Sequence, residues 1–309
     1  MTAATKRFGL TFYLVRYNHF RKQTSKPKSE MKYNFNQFLK NKLACPTTKQ
    51  ATNQHFYNLS QFGYPEALVT LPNSPGFKDW EGGQSSYEGL QNNFKHRRYD
   101  DEYHDKLLKF HLNEIQQCQS IYDHFPLHGE VLDIGGGPGL VREFLKEPDN
   151  LISVDPFPDP LQSVSKAKVQ AYTCLQSPLN FVQGNAEFLP FLSRSFDCVH
   201  MRSMLDHVQV PDLALLEAHR VLKEDGYLVI GMSVLGGKDG KTKVKKSIKK
   251  NMEDFLGAIG VSKYRDHHTW HPTYSGLLSI LQHNKFEISD VFWQPGFYDK
   301  VVYVKAKPL

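Results

Sequence analysis

Short apolar runs and helical stretches alternate along the second half of the chain. The runs have the length of buried strands and lie at 131–134, 151–154, 180–183, 197–201 and 227–232. The stretches between them have the apolar spacing of helices and lie at 139–147, 159–171 and 211–223. Strands that alternate with helices are typical of a parallel sheet with crossover helices.

The alternation ends near the carboxyl terminus. A helix predicted near 274–284 precedes two strands, Phe286 to Phe292 and Val301 to Lys305, and no helical stretch separates these strands. Strands joined without a crossover helix pair antiparallel. The sequence therefore predicts an α/β, Rossmann-like fold: a seven-stranded sheet that is mostly parallel, with an antiparallel last strand and helices on both faces.

The first third of the chain has a different composition. Residues 31–98 are rich in Asn, Gln, Gly, Pro and aromatic residues and show no sustained period, which predicts an irregular N-terminal lead-in. From Tyr99 onward the apolar spacing becomes helical, so we place the main domain at 99–309. We expect residues 1–30 to be a basic leader outside the fold.

Charge is concentrated in that leader. The 309 residues include 38 Lys and Arg and 32 Asp and Glu, which gives a net charge of +6. Residues 1–30 contain seven of the basic residues and a single acidic residue, Glu30. The rest of the chain is balanced, which argues against a nucleic-acid partner. The leader is typical of organelle targeting or of a disordered extension ahead of a start at Met31. The expected location is therefore cytoplasmic or organellar, and the basic leader suggests the mitochondrion.

The chain shows no complete metal or disulfide framework. Its four cysteines lie far apart and form no CxxC pair. His267, His268 and His271 form a cluster, but only Asp266 lies beside them at ligand spacing, so we predict no metal site. No apolar run approaches the roughly 20 residues that cross a bilayer, so we expect no membrane span.

A glycine-rich turn follows the first predicted strand. Asp133 precedes Gly135, Gly137 and Gly139, and glycines in such a turn let the backbone lie against a ligand. The turn fits neither the GxGxxG dinucleotide fingerprint nor a phosphate loop with Gly-Lys-Ser/Thr. Asp155 closes the second strand, where a carboxylate can accept hydrogen bonds from both ribose hydroxyls. These residues predict a nucleoside ligand that lacks phosphates.

Five segments, in order, resemble the motifs of the class I S-adenosylmethionine-dependent methyltransferases, most closely the ubiquinone and menaquinone C-methyltransferase branch (methyltransferase type 11). They are VLDIGGGPG (131–139), ISVDP (152–156), GNAEFLPF (184–191), SFDCVHMRSMLDHV (195–208) and EAHRVLKEDGYLVI (217–230). The resemblance covers about residues 100 to 309 and implies S-adenosyl-L-methionine as the cofactor. It implies cofactor contacts, with Asn185 facing the adenine amino group, from Asp133, Gly135, Gly137, Gly139, Asp155, Asn185, Ala186 and Met201.

Three candidate catalytic residues follow the fourth predicted strand, where open α/β sheets bind ligands. Arg202 could hold a substrate carboxylate, and the Asp206-His207 pair stands where the quinone enzymes that the chain resembles carry Arg-Asn. An imidazole titrates near neutral pH, so His207 is the candidate base if the acceptor loses a proton. A thioether acceptor would need no base.

The resemblance implies a methyltransferase that acts on a small-molecule metabolite. The residues leave the acceptor atom (O, S, N or C) and the oligomeric state open. An alternative is a methyltransferase-like assembly or binding factor that has lost activity. A protein of that kind would be free to lose the glycines and carboxylates of the cofactor site, and this chain retains them.

We predict that deleting residues 1–30 changes neither folding nor activity, because this segment carries an unbalanced charge and no acid before Glu30. Melting temperatures of the full chain and of a chain that starts at Met31 should agree. A loss of many degrees on truncation would contradict the prediction.

Overall fold

The computed structural model describes residues 33–51, 57–96, 101–162, 164–240, 268–296 and 300–309. The predicted leader and His267 lie outside the described residues.

The described part of the chain contains one sheet of ten strands. The strands are β1 (Tyr33–Asn34), β2 (Asn58–Leu59), β3 (Pro65–Glu66), β4 (Val131–Ile134), β5 (Leu151–Asp155), β6 (Leu179–Gln183), β7 (Phe196–Arg202), β8 (Leu222–Ser233), β9 (Phe286–Trp293) and β10 (Val301–Pro308). They are ordered β2-β3-β6-β5-β4-β7-β8-β10-β9, and β1 also pairs with β6.

The predicted fold class is confirmed. Strands β4 to β8 pair parallel, and β10 lies between β8 and β9 and is antiparallel to both. The prediction of seven strands was too low, because the lead-in adds three strands of two residues each to one edge of the sheet. Strands this short have no room to show a period of two, so the sequence pattern does not reveal them.

Six α-helices occur among the described residues: α1 (Gln37–Lys40), α2 (Phe77–His96), α3 (Asp101–His124), α4 (Lys166–Ala171), α5 (Pro211–Val221) and α6 (Tyr274–His283). The twenty residues of α2 show that the prediction of an irregular lead-in was wrong for 77–96. The helix predicted over 159–171 is reduced to α4, which begins where the Ser165 side chain caps it by accepting a hydrogen bond from the Lys168 N–H. The helix predicted over 139–147 is a short 3-10 helix, Leu140–Phe144.

Helices cover both faces of the sheet, as predicted. Leu132 and Ile134 of β4 point into the core that includes residues of α5 and α6. Val131, which precedes them in β4, packs in the core that includes residues of α3. Strands that are apolar on both faces need such a double cover, because both faces must be removed from water.

The lead-in is packed onto the same body, and residues 31–309 form one compact unit. The Tyr33 hydroxyl donates to Asp159 Oδ1 at 2.7 Å, and Glu66 of β3 pairs with Gln183 of β6. No helix in the described part of the chain is both long enough and apolar enough to span a membrane.

Gly231 of β8 allows an aromatic ring to lie flat across the sheet. It pairs with Tyr303 of β10, and a Cβ atom at Gly231 would overlap the buried Tyr303 ring. The Tyr303 hydroxyl shares a hydrogen bond with Arg202, so this contact also helps to position Arg202 at the end of β7. We therefore regard Gly231 as a packing requirement of the sheet next to the site.

We predict that Gly231→Ala lowers the free energy of unfolding by about 1–3 kcal/mol, because overpacking forces the ring out of its place. Urea unfolding measures the effect. Lys307→Ala, an exposed change near the end of β10, is the control that should leave stability unchanged. Equal stability of the two variants would contradict the predicted overlap.

Candidate functional site

The glycine turn after β4 forms an open cradle. Gly135, Gly137 and Gly139 have φ angles of +71°, +50° and +68°, a region that favours glycine. The Gly135 N–H donates to the Val154 carbonyl at 2.8 Å, which fixes the start of the turn. A Cβ atom at Gly137 would have only Asp155 Oδ2 within 4 Å, at 3.9 Å. The turn therefore leaves space beside the Asp155 carboxylate for a ligand.

Asp155 ends β5 and faces this cradle. Its Oδ1 accepts from the Phe157 N–H at 2.8 Å, and its Oδ2 accepts from the Gly137 N–H at 3.1 Å. Burial raises the pKa of Asp155 to about 6; these two bonds act against the rise and the nearby Asp133 carboxylate adds to it. Each carboxylate oxygen can accept a further hydrogen bond. The residue can therefore accept two ligand hydroxyls, as predicted for a ribose.

Asp133 is buried under the turn and is held by a chain of side-chain hydrogen bonds. Its Oδ1 lies 2.7 Å from Nδ1 of His200, its neighbour in the parallel pairing of β4 and β7. His200 Nε2 lies 3.2 Å from the Tyr122 hydroxyl of α3. A Cβ atom at Gly136 would clash with the Asp133 carboxylate, so Asp133 contacts the turn from below. Asp133 therefore packs against the turn, and its predicted contact with the cofactor stays a prediction.

Asn185 lies after β6, at the start of the 3-10 turn Ala186–Phe188. Its Nδ2 donates to the Val69 carbonyl of the lead-in at 2.6 Å. Its Oδ1 is buried and has no hydrogen-bond partner among the described residues. A buried acceptor without a donor is costly, and an adenine amino group would supply that donor. Ala186, the next predicted contact, is buried beside it.

Glu187 is a functional candidate that the sequence analysis missed. Its Oε1 accepts from the backbone N–H groups of Gln209 and Val210 at 2.6 and 3.2 Å, and burial raises its pKa. Gln209 Oε1 in turn accepts from the Leu71 N–H at 2.9 Å. Glu187 thus connects the Asn185 turn to the loop after β7. Its place in the GNAEFLPF segment was the available signal.

The loop after β7 brings Asp206 and His207 beside the cradle. Met204 packs where a Cβ atom of Gly135 would lie, so the loop contacts the glycine turn. His207 Nε2 is 4.0 Å from Asp206 Oδ1, and His268 Nε2 is 3.7 Å from Asp206 Oδ2. The structure thus brings His268 to the predicted pair across 61 positions of the chain, a proximity that the sequence analysis did not predict.

Arg202 and Met201 end β7 beside buried neighbours. Arg202 Nη2 lies 3.9 Å from Oε1 of Glu114 in α3. Burial alone would raise the pKa of Glu114, but hydrogen bonds from His111 and Tyr172 with nearby positive charges lower it to about 2. An ionised Glu114 balances Arg202, which weakens the prediction that Arg202 holds a substrate carboxylate. The Met201 side chain is buried in the core, and its predicted contact with the cofactor stays a prediction.

Residues 132–230 match the model of a protein family described as "Methyltransferase domain". The match runs from β4 to β8 and contains the glycine turn, Asp155, Asn185 and the loop after β7. Residues 132–230 are therefore similar to the class I methyltransferases. The resemblance noted from the sequence is confirmed, and S-adenosylmethionine is the cofactor of this class.

The matched relatives share only part of their length with this chain. A ubiquinone/menaquinone biosynthesis C-methyltransferase of Hahella chejuensis is 36% identical over 103 residues, which cover 32% of this chain and 41% of that protein. An uncharacterised methyltransferase of Schizosaccharomyces pombe is 32% identical over 105 residues, which cover 32% of this chain and 37% of that protein. The chain thus matches about two fifths of the length of these relatives.

Solved structures of methyltransferases are also similar to this chain. One is a Burkholderia thailandensis 1,6-didemethyltoxoflavin-N1-methyltransferase with bound S-adenosylhomocysteine, at 16% identity and a TM-score of 0.46, covering 78% of this chain and 94% of that one. Another is a methyltransferase of Aquifex aeolicus, at 15% identity and a TM-score of 0.45, covering 69% of this chain and all of that one.

The described residues fit the methyltransferase cofactor. The Gly137 cradle has room beside Asp155 for a ribose. The buried Asn185 Oδ1 atom could accept a hydrogen bond from the adenine amino group. Asp133 packs against the turn at Gly136.

We predict that S-adenosylmethionine binding weakens as the pH falls through about 6. The ribose hydroxyls donate to the ionised Asp155, and protonation near its pKa of about 6 removes that acceptor. Below pH 6 the affinity should fall about tenfold per pH unit. Calorimetric titration between pH 5 and 8 measures it.

Two variants control this prediction. Asp155→Ala should weaken binding by about a hundredfold or more at pH 8, because two hydrogen bonds to a charged group are lost. Asp155→Asn keeps the shape but does not titrate, so its affinity should not change between pH 5 and 8. Undiminished binding by Asp155→Ala would remove Asp155 from the site.

Proposed function

We propose that this chain is an S-adenosylmethionine-dependent methyltransferase that acts on a small polar metabolite. One observation carries the proposal. The Gly137 cradle lies beside the Asp155 carboxylate, and the Gly184 N–H, next to the buried Asn185 acceptor, donates to the Asp155 carbonyl. Each of these features suits one part of an adenosine, and the matched family supplies the reaction class.

Positioning carries the proposed catalysis. When bound, the cofactor supplies a sulfonium methyl group, and its transfer needs an acceptor in line with the methyl–sulfur bond and the exclusion of water. The loop after β7 contacts the glycine turn through Met204, so it lies where the acceptor must approach. Glu187 fixes the end of this loop by accepting two backbone hydrogen bonds. The loop after β7, on the acceptor side, is thus held at a fixed position relative to the glycine turn on the cofactor side.

The chemistry of the acceptor follows from Asp206 and His207. Both side chains are partly buried, with 14% and 31% of their surface exposed, so they can contact a ligand. Two ionisable groups suit a polar acceptor better than the apolar ring system of a quinone, which supports the small polar metabolite. The role of His207 as a general base stays a prediction.

An inactive binding factor is the competing function. A damaged cofactor site would support an inactive binding factor. This chain retains the residues of the site, and their hydrogen bonds and open space suit the cofactor: Asp133, Gly135, Gly137 and Asp155. The same residues support an active enzyme.

The proposed organisation remains a basic leader at 1–30, a lead-in at 31–98 and the methyltransferase domain at 99–309, in a cytoplasmic or organellar location.

We predict S-adenosylhomocysteine release with a polar acceptor from a panel of carboxylic acids, phenols, thioethers and amines, and no turnover of demethyl-quinone precursors. On the responding acceptor, His207→Ala should lower kcat by about 100-fold or more while cofactor affinity stays unchanged. Cofactor titration of the variant is the control, since His207 is assigned to the acceptor side. Wild-type rates for His207→Ala on a hydroxyl or amine acceptor would show that positioning alone carries the reaction.

A further inference from the structure

Asp206, His207 and His268 place three metal-ligating atoms together beside the cofactor cradle. One atom from each side chain, a carboxylate oxygen and two imidazole nitrogens, lies within 4.8 Å of the other two. The rings of His207 and His268 have centroids 4.4 Å apart. Two imidazoles and one carboxylate are the donor set that zinc and other divalent first-row ions accept.

The backbone holds this cluster in place. The Thr269 N–H donates to the Asp206 carbonyl at 2.8 Å, and the Thr269 hydroxyl donates to the Val208 carbonyl at 2.6 Å. These two bonds fix the segment that carries His268 against the loop that carries Asp206 and His207. The proximity of the three side chains is therefore built into the fold.

Asp206 gives independent support for a ligand. Its Oδ1 atom is buried and has no hydrogen-bond partner in the described part of the chain. His207 Nε2, at 4.0 Å, and His268 Nε2, 3.7 Å from Oδ2, are too distant for hydrogen bonds with the carboxylate. A buried carboxylate oxygen without a donor is costly unless a cation satisfies it.

We propose that Asp206, His207 and His268 bind a divalent transition-metal ion of the zinc type. Ligand atoms around a tetrahedral zinc ion lie about 3.4 Å apart, so these side chains would move by about 1 Å to close on the ion. Three protein ligands leave a fourth position for water or for the acceptor, which is the arrangement of catalytic zinc sites. His271, whose ring centroid is 5.4 Å from that of His268, lies next to the cluster.

The use of this ion rests on the proposed function. A hydroxyl, thiol or carboxylate of the acceptor could occupy the fourth position, and the ion would lower the pKa of a bound hydroxyl or thiol. A nitrogen that binds a metal has no lone pair left for a proton, so this role replaces the general-base role of His207. The proposal thereby narrows the acceptor to metabolites that can bind a metal.

Metal binding to the full chain, without cofactor or acceptor, tests the proposal. After treatment with a chelator and dialysis, calorimetric titration with Zn²⁺ should give one site per chain. Co²⁺ should give the intense visible absorption of a four-coordinate site. Asp206→Asn and His268→Ala should each weaken Zn²⁺ binding by about 100-fold or more. His283→Ala, an exposed change at the end of α6, is the matched control and should bind as the wild type does.

The outcomes separate the metal site from the proposed function. Cofactor titration and melting temperature of the Asp206→Asn and His268→Ala variants show that they fold, since neither residue is assigned to the cofactor. A wild-type chain without stoichiometric Zn²⁺ binding, or variants that bind Zn²⁺ like the wild type, would overturn the metal site. Failure to bind S-adenosylmethionine with intact Zn²⁺ binding would instead overturn the proposed function.

Discussion

The hydrogen bond between Asp133 and His200 supports the whole candidate site. It joins the two strands at the centre of the sheet, β4 and β7, directly under the glycine turn. A carboxylate buried in an apolar core must have a partner, and removing one member of a buried pair costs about 3–5 kcal/mol. His200 supplies that partner and Tyr122 fixes the far side of the imidazole. The glycine turn above therefore packs against an Asp133 carboxylate that His200 holds in position.

The surroundings of this pair explain why two loops approach each other. β4 ends in the glycine turn and β7 ends in the loop that carries Asp206 and His207, so pairing the strands places both loops at one edge. This is the edge at which open α/β sheets bind their ligands. Met204 fills the gap over Gly135, and Glu187 holds the far end of the second loop. The pairing of β4 with β7 therefore positions the two loops, and the contacts made by Met204 and Glu187 complete the site.

The sequence predicts the parts of this site that depend on local pattern. The strands β4 to β10, the glycine turn and Asp155 follow from apolar runs and from residue types within a few positions of one another. The roles of Val69 and Leu71 do not, because each depends on one backbone group that meets Asn185 or Gln209 more than a hundred residues later. The lead-in was assigned no function, although it supplies hydrogen bonds to the cofactor side.

The same reasoning explains why the sequence analysis did not predict the proposed metal site. Asp206-His207 and the histidine cluster were each recognised, but they were judged separately, and Asp206-His207 offers only two ligands by itself. Thr269 brings them together through a backbone hydrogen bond to Asp206 and a hydroxyl hydrogen bond to Val208, and residue spacing in the sequence predicts neither contact. A set of metal ligands that is divided between two loops can therefore be recognised only once the fold is known. In this chain the fold places such a set next to the cofactor cradle, where a bound ion and a bound methyl donor could act on one acceptor.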